Sequence, residues 1–522
     1  MSSIFADRFP EQKVRPDAGT LISWYVGAIV LAVVLGAAAA LGDIDSKRGV
    51  VILILAFGVT GGLALAFAPI RFVVGIFLFL TFVVVGPLVS LARFEQAGWI
   101  PYLFAFVLLL RVPMEWYQTS KTGGRSGFRR DKAISPVVGA IGWYFVIVLV
   151  SVLTNLPSPM QVLVGAKAYL FIWGFFFLLA ASSISPEMLE RIWKSVLIVA
   201  MLQFPFALYQ RLFEASRRDV GDGSLNFLDA VVGTFPGTEG GGASGSLAVF
   251  CVFAAALALL LHRNKALGGG ASALVVLSCL LSLGLGETKI IMVLFPLAFL
   301  VTNRGEVLRR PLYFLGMGLI IISILGGILA LYAQQWRPGR QFSTLEYLTS
   351  SAEYVANPNA AKADGHVGRT AALSIWYSDG RGTPQTLLFG YGPAASQASS
   401  AGKSTGVIAA RYAPLKINST TAAAMLWDIG VLGLIAFLAI PLAAFFQGLR
   451  LCSLAQIPAF HRSAIEASAL MMAFAGVLVP YDKSLLFVPQ LQVIFLLALF
   501  QIVYWRIRTA RAIDSSTLNI SQ

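Results

Sequence analysis

TAAAMLWDIGVLGLIAFLAIPLAAF, residues 421–445, runs for 25 residues with one charged side chain, Asp428. A helix rises about 1.5 Å per residue and a bilayer core takes roughly 17–25 residues to cross, so this run predicts a membrane span. Working outward, thirteen further windows read the same way: 21–41, 50–68, 72–92, 98–117, 136–156, 165–183, 195–213, 243–261, 271–286, 289–301, 312–333, 464–480 and 485–505. The pair at 271–286 and 289–301 is the weakest, because Glu287 and Lys289 interrupt it.

Composition agrees. Over 522 residues, 57% are hydrophobic and 12% charged, and the mean hydropathy is +0.78, which describes a chain solvated mainly by lipid. The net charge of +14 does not point to nucleic acid, because the basic residues sit in short connections between apolar runs, where they orient a membrane protein. Cys251 and Cys279 fall inside apolar runs and Cys452 in a connection, a spacing that suits neither a disulfide nor a metal site.

An even number of spans places both termini on one side. The positive-inside rule makes that side the cytoplasm, since it collects Lys121, Arg125, Arg129, Arg130, Lys132, Arg191, Lys194, Arg263, Lys265, Arg304, Arg309, Arg310, Arg450, Arg462, Arg506, Arg508 and Arg511. The fold expected is therefore all-α and polytopic, with about fourteen transmembrane helices. Residues 1–20 form a retained cytoplasmic N-terminus, 21–333 the first eleven spans, 334–419 a large periplasmic loop, 420–505 the last three spans and 506–522 a cytoplasmic tail.

The loop at 334–419 holds eight Lys or Arg against four Asp or Glu in 86 residues. It is predicted to be folded and partly helical. Ser343 and Glu346 form a capping box for a helix that Asn357 and Pro358 stop, and a second helix runs from Gly368 to Asp379 with Arg369, Leu373 and Trp376 on one stripe. The apolar run ending in Gly390, Tyr391, Gly392 and Pro393 is expected to turn back toward the membrane.

GRTAALSIWYSDGRGTPQTLLFGYGPAAS (368–396) resembles the periplasmic-loop signature of the O-antigen ligase and polymerase superfamily, with Arg369, Trp376, Gly390 and Gly392 at the matching positions. VVGTFPGTEGGGASGSLAVF (231–250) is similar to that family's G-T-F segment leading into a span, and AAAMLWDIGVLGLIAFL (422–438) to its acidic-x-G-x-x-G helix, through Asp428, Gly430 and Gly433. Two features depart from the pattern. The family's Ser-Arg pair is here Thr288 and Lys289, and its His-Asn pair falls in 414–420, which keeps Asn418 but has no histidine.

The resemblance implies glycosyl transfer from a polyprenyl-diphosphate-linked oligosaccharide at the outer face of a bacterial inner membrane. That reaction holds a diphosphate and stabilises it as it leaves, work suited to Arg and Lys side chains. Arg369, Lys289 and Arg411 are the expected catalytic cations, Glu239 a candidate general base, and Arg340, Lys416, Trp376, Gly390, Gly392, Asn418 and His366 the expected substrate contacts. His366 is also the candidate to replace the missing histidine. Ordinary readings stand beside these: Arg369 as a partner of Asp364 or Asp379, Trp376 as packing, Glu239 and His366 as solvated loop residues, and 237–245 as a flexible glycine run.

The outer loops show no Asp-x-Asp pair and no ligand cluster, so transfer without metal or cofactor is expected. The reading favoured is a polymerase of lipid-linked repeat units, acting with a flippase and a chain-length regulator of the same pathway. A ligase is its near neighbour; a flippase or other transporter and a non-catalytic scaffold are the alternatives from other classes.

Overall fold

The computed structural model describes residues 68–92, 94–121, 135–214, 231–236, 243–286, 288–335, 349, 352–361, 365–380, 382–398 and 406–520. The chain divides into two compact units, Met1–Phe77 and Leu78–Gln522. Residues 68–77 are the described part of the first, and all later residues belong to the second. The predicted spans at 21–41 and 50–68, and the capping box at Ser343 and Glu346, lie outside the described residues apart from residue 68.

Among the described residues the protein is all-helical, with isolated bridges at Ala361–Val367 and His366–Lys416 as its only extended pairing. In chain order the helices are α1 (Ile70–Ser90), α2 (Ile100–Lys121), α3 (Pro136–Asn155), the bent pair α4 (Pro159–Phe171) and α5 (Trp173–Ala181), and α6 (Pro186–Glu214). They continue with α7 (Ala243–Arg263), α8 (Gly269–Leu285), α9 (Ile291–Thr302), α10 (Arg304–Arg309) and α11 (Pro311–Gln335). After these come α12 (Arg369–Ser378), α13 (Pro384–Phe389), α14 (Val407–Arg411), α15 (Thr421–Cys452), α16 (Ala459–Tyr481), α17 (Ser484–Phe487) and α18 (Pro489–Ile520).

A helix coincides with each of the twelve predicted spans that the structure describes. Eight are long and apolar enough to cross a membrane, and α4 with α5, bent by 46°, makes a ninth if taken as one span. Helices α8 and α9, at 17 and 12 residues, are shorter than a full crossing. The chain is thus a multi-pass membrane protein by the length and composition of its helices.

The apolar surfaces divide by depth. In the membrane-length windows of α7, α16 and α18, 89%, 78% and 89% of residues are buried, against 28–50% for the other membrane-length helices, so these three form the interior. Two glutamines of α18 tie it to other helices: Gln501 accepts a hydrogen bond from the Trp193 indole at 3.0 Å, and Gln490 donates to the Thr81 carbonyl at 2.8 Å. At one end of α16, Glu466 bridges α7 and α10, accepting from Arg263 at 2.7 Å and Arg304 at 2.8 Å. At the other end Tyr481 and Asp482 meet the start of α15, so segments assigned from sequence to opposite sides emerge at opposite ends of one helix.

Helix α15 is broken near its start. Gly430 adopts φ 71°, ψ −173°, a conformation open essentially to glycine alone. Into this break α13 delivers its C-terminal end: a Cβ on Gly430 would lie 2.3 Å from the Leu388 carbonyl oxygen, and one on Gly390 2.4 Å from the Asp428 carbonyl carbon. Two glycines facing each other let two backbones touch. The backbone alone makes Gly430→Ala cost about 1–3 kcal/mol, with displacement of α13 adding to it. In thermal unfolding of purified protein the Gly430→Ala midpoint should fall, whereas Gly476→Ala, in the open helical face of α16, should hold or raise it.

Candidate functional site

The first feature that positions the site is a buried carboxylate. Asp428 Oδ2 accepts from the Tyr169 hydroxyl and the Ala394 amide, each at 2.9 Å, and Oδ1 accepts from the Ser396 amide at 2.7 Å. The Ser151 hydroxyl donates to the Asp428 carbonyl at 3.0 Å, and the Tyr391 amide to the Trp427 carbonyl at 2.8 Å. Helices α3, α4 and α15 thereby hold the turn at 390–396. Gly392 (φ 94°) lies against Pro157 and Gln161, and the Gln161 amide donates to the Pro393 carbonyl at 3.3 Å.

The second feature ties α15 to α16. Thr420 caps α15 by accepting from the Ala423 amide at 3.0 Å, while Thr421 donates from its amide (2.8 Å) and its hydroxyl (2.7 Å) to the Asp482 carbonyl. The Asp482 carboxylate accepts from the Ser484 amide at 2.8 Å and opens α17. Its other oxygen faces the start of α7, 3.3 Å from where a Cβ on Gly245 would sit. The turn Tyr481–Asp482–Lys483 is consequently fixed from three sides.

Arg369 lies on this turn, Lys483 belongs to it, and Lys416 is near enough for its charge to act on Lys483. The Arg369 guanidinium stacks on Tyr481, 3.8 Å from the ring centroid, and its Nε donates to the Tyr481 carbonyl. Its terminal nitrogens have no protein partner among the described residues, which leaves the fork open. Residue 366 pairs with 416 through a backbone bridge, the Lys416 amide donating to the Gly365 carbonyl at 2.7 Å, and the Lys416 ammonium lies 3.0 Å from His366 Nε2. With Lys416 charged, Nε2 is the acceptor and the ring proton sits on Nδ1. Lys483 is the third cation. Burial pushes its pKa below the ordinary lysine range, Asp482 opposes that shift and the charge of Lys416 adds to it.

Arg369, Lys416 and His366 are thus brought together from among the residues expected in sequence. Arg411 is paired with Asp379 at 3.4 Å and lies 5.3 Å from the Tyr391 ring centroid. Trp376 packs on the cluster of Ala395, Ile408, Ile417 and Trp427. Gly390 meets the backbone of Asp428, and Asn418 is half-buried between Lys416 and Thr420. Lys289 is half-buried just before α9, on a turn whose Gly286 adjoins Val231. Glu239 and Arg340 lie outside the described residues.

Sequence reasoning missed Lys483, Tyr481 and Asp482, taking 481–484 for a short connection. The available signal was two charges and an aromatic ring in a four-residue link between spans. It also missed Gln203 and Gln210, seven apart on α6, which hold the 231–236 segment. Gln210 accepts from the Val232 and Gly233 amides at 2.9 and 2.7 Å, and Gln203 accepts from the Thr234 amide at 2.9 Å.

Among the described residues no three His, Cys, Asp or Glu side chains gather as a metal site would require. No protein-family model matches the sequence, and no curated protein matches it. The class that fold and site define is a multi-pass, all-helical membrane protein with three cations at one end of its bundle.

Because the Asp428 oxygens accept from three donors, Asp428→Asn would turn an amide NH₂ against one or more of them. Leaving such a group unsatisfied costs about 1–3 kcal/mol. Limited proteolysis of purified Asp428→Asn should cut faster within 390–398 than in the unaltered protein, with α16 and α18 still protected.

Proposed function

We propose that the protein polymerises polyprenyl-diphosphate-linked oligosaccharide repeat units by glycosyl transfer at the periplasmic face of a bacterial inner membrane. Both termini are then cytoplasmic, and the end bearing Arg263 and Arg304 faces the cytoplasm, as the basic-residue bias requires. The observation that carries the reading is Arg369 stacked on Tyr481 with its fork open, beside Lys483 two residues on, whose charge Lys416 influences; a lipid-linked diphosphate could meet directed donors there.

In this mechanism the acceptor hydroxyl oxygen forms a bond to the anomeric carbon of the donor as the bond from that carbon to the diphosphate oxygen breaks. The electron pair goes to the diphosphate, whose charge the three cations take up. The hydroxyl proton needs a base. When Lys416 transfers its hydrogen bond from His366 to the diphosphate, Nε2 of His366 is released to accept that proton. Within this reading the cations serve where other enzymes use a divalent ion, and a flippase and a chain-length regulator are the expected pathway partners.

A ligase reading gains from the same contact, since His366 lies beside 416–420, where the related ligases carry their histidine. The products separate the two. Deleting the gene should leave single repeat units on the carrier or final acceptor; long chains stranded on the carrier would assign the protein as a ligase instead. In cells, Arg369→Ala should abolish polymer at normal protein level. Arg369→Lys should restore little, because a point charge does not reproduce the guanidinium fork. Polymer formation by the purified protein should continue in chelator.

Lys483 sets an alkaline limit. A lysine whose pKa is lowered loses its charge as pH rises through that lowered value, so donor binding should weaken at a pH where an ordinary lysine is still protonated. Lys483→Arg, charged throughout, should move the alkaline limb of the kcat/KM profile to higher pH while leaving the acid limb in place.

A further inference from the structure

A further cation at the same end of the bundle is not used by this mechanism. Lys167 opens a π-helical turn, Lys167–Phe171, inside α4, and such turns recur at functional sites. Its ammonium lies 4.2 Å from the ring centroid of Trp99 and 5.0 Å from that of Tyr102. Two ring faces cover one side of the charge, yet its three N–H donors have no carboxylate, carbonyl or hydroxyl partner among the described residues. The Tyr102 side chain is 1% exposed, and its hydroxyl is also without a partner among them.

The cage is held rigidly and close to the site. Tyr169, in the same turn, donates to Asp428 at 2.9 Å, and Gly165, two residues earlier, abuts Pro393. The turn packs against α17, which begins directly after Lys483. Phe94, Met160 and Leu163, on the neighbouring segments, are exposed apolar residues, as suits a face turned to lipid. An ammonium there, half enclosed by aromatic rings and lacking a carboxylate, fits an anionic head whose chain lies in the bilayer.

We propose that Lys167, Trp99 and Tyr102 form a phosphate-group site for a lipid head, separate from the Arg369–Lys416–Lys483 cluster. Assigning that lipid as the second polyprenyl-linked substrate rests on the polymerase reading, in which donor and acceptor chains are both lipid-linked and must lie side by side.

The test is binding of a fluorescent short-chain polyprenyl monophosphate to the purified full chain in phosphatidylcholine nanodiscs. Two saturable sites are expected. Lys167→Met should weaken one at least tenfold and leave the other, Lys167→Arg should retain both, and Arg369→Ala should weaken only the second. Unchanged binding in Lys167→Met overturns the site. Should that variant not accumulate, Trp99→Leu, which keeps the ammonium and removes a ring, should weaken the same site severalfold, and unchanged binding there overturns it equally.

Competition distinguishes the sources. Displacement by phosphatidylglycerol at equal mole fraction keeps a phosphate-group site but overturns its assignment to a polyprenyl lipid; resistance to phosphatidylglycerol and to millimolar inorganic phosphate supports that assignment. No turnover is required. A Lys167-dependent site in a protein whose deletion leaves polymer intact would keep this inference and discard the polymerase reading.

Discussion

A carboxylate buried within a membrane helix organises this protein. Asp428 is fully enclosed, and a bare charge there would be prohibitive, so it is kept only because three donors from α4 and the 394–396 backbone converge on it. The dependence also runs outward. The turn at 390–396 is buried, with Ala394 and Ala395 almost fully enclosed, and Asp428 satisfies two of its backbone amides. With the turn fixed, α14 and the 415–417 segment pack behind it through Ala395, Ile408 and Ile417. Lys416 and its bridge to His366 stand on that packing.

The glycines and the carboxylate act together. Gly430 breaks α15 two residues after Asp428, which turns the first part of the helix so that the carboxylate meets the amides of 394 and 396. The acidic-x-G pattern is thus one device, in which the break creates the space and the charge fills it with directed acceptors.

Much of this was legible in the sequence, for reasons of length and period. Spans are set by apolar runs, so twelve predicted windows coincide with helices, and the second loop helix, expected from Gly368 to Asp379, forms over Arg369–Ser378. The site was legible only in part. Arg369, His366 and Lys416 stood out because charged residues in a loop are conspicuous, but which of them meet depends on long-range contacts such as Thr421 to Asp482, to which no local spacing points. Arg411 was equally conspicuous, and its pairing with Asp379 at 3.4 Å is another long-range contact that no local spacing indicates. Tyr481 to Lys483 were overlooked because a short link between spans looks like a connector, and Lys167 because a lone lysine in an apolar run looks like a snorkelling residue.

Helix α16 is clamped at both ends, by Glu466 between two arginines and by the Asp482 carbonyl beneath Thr421. Such a rod is a ruler. The height of Tyr481, and of the guanidinium stacked on it, above the Glu466 bracket is set by residue count rather than by any loop. Each added residue would lift the platform about 1.5 Å and swing it about 100°, so neither shift can be made without the other. Substitution can change the side chains on this platform, but their spacing from the Glu466 bracket along the helix axis changes only by whole residues, so the length of α16 sets it.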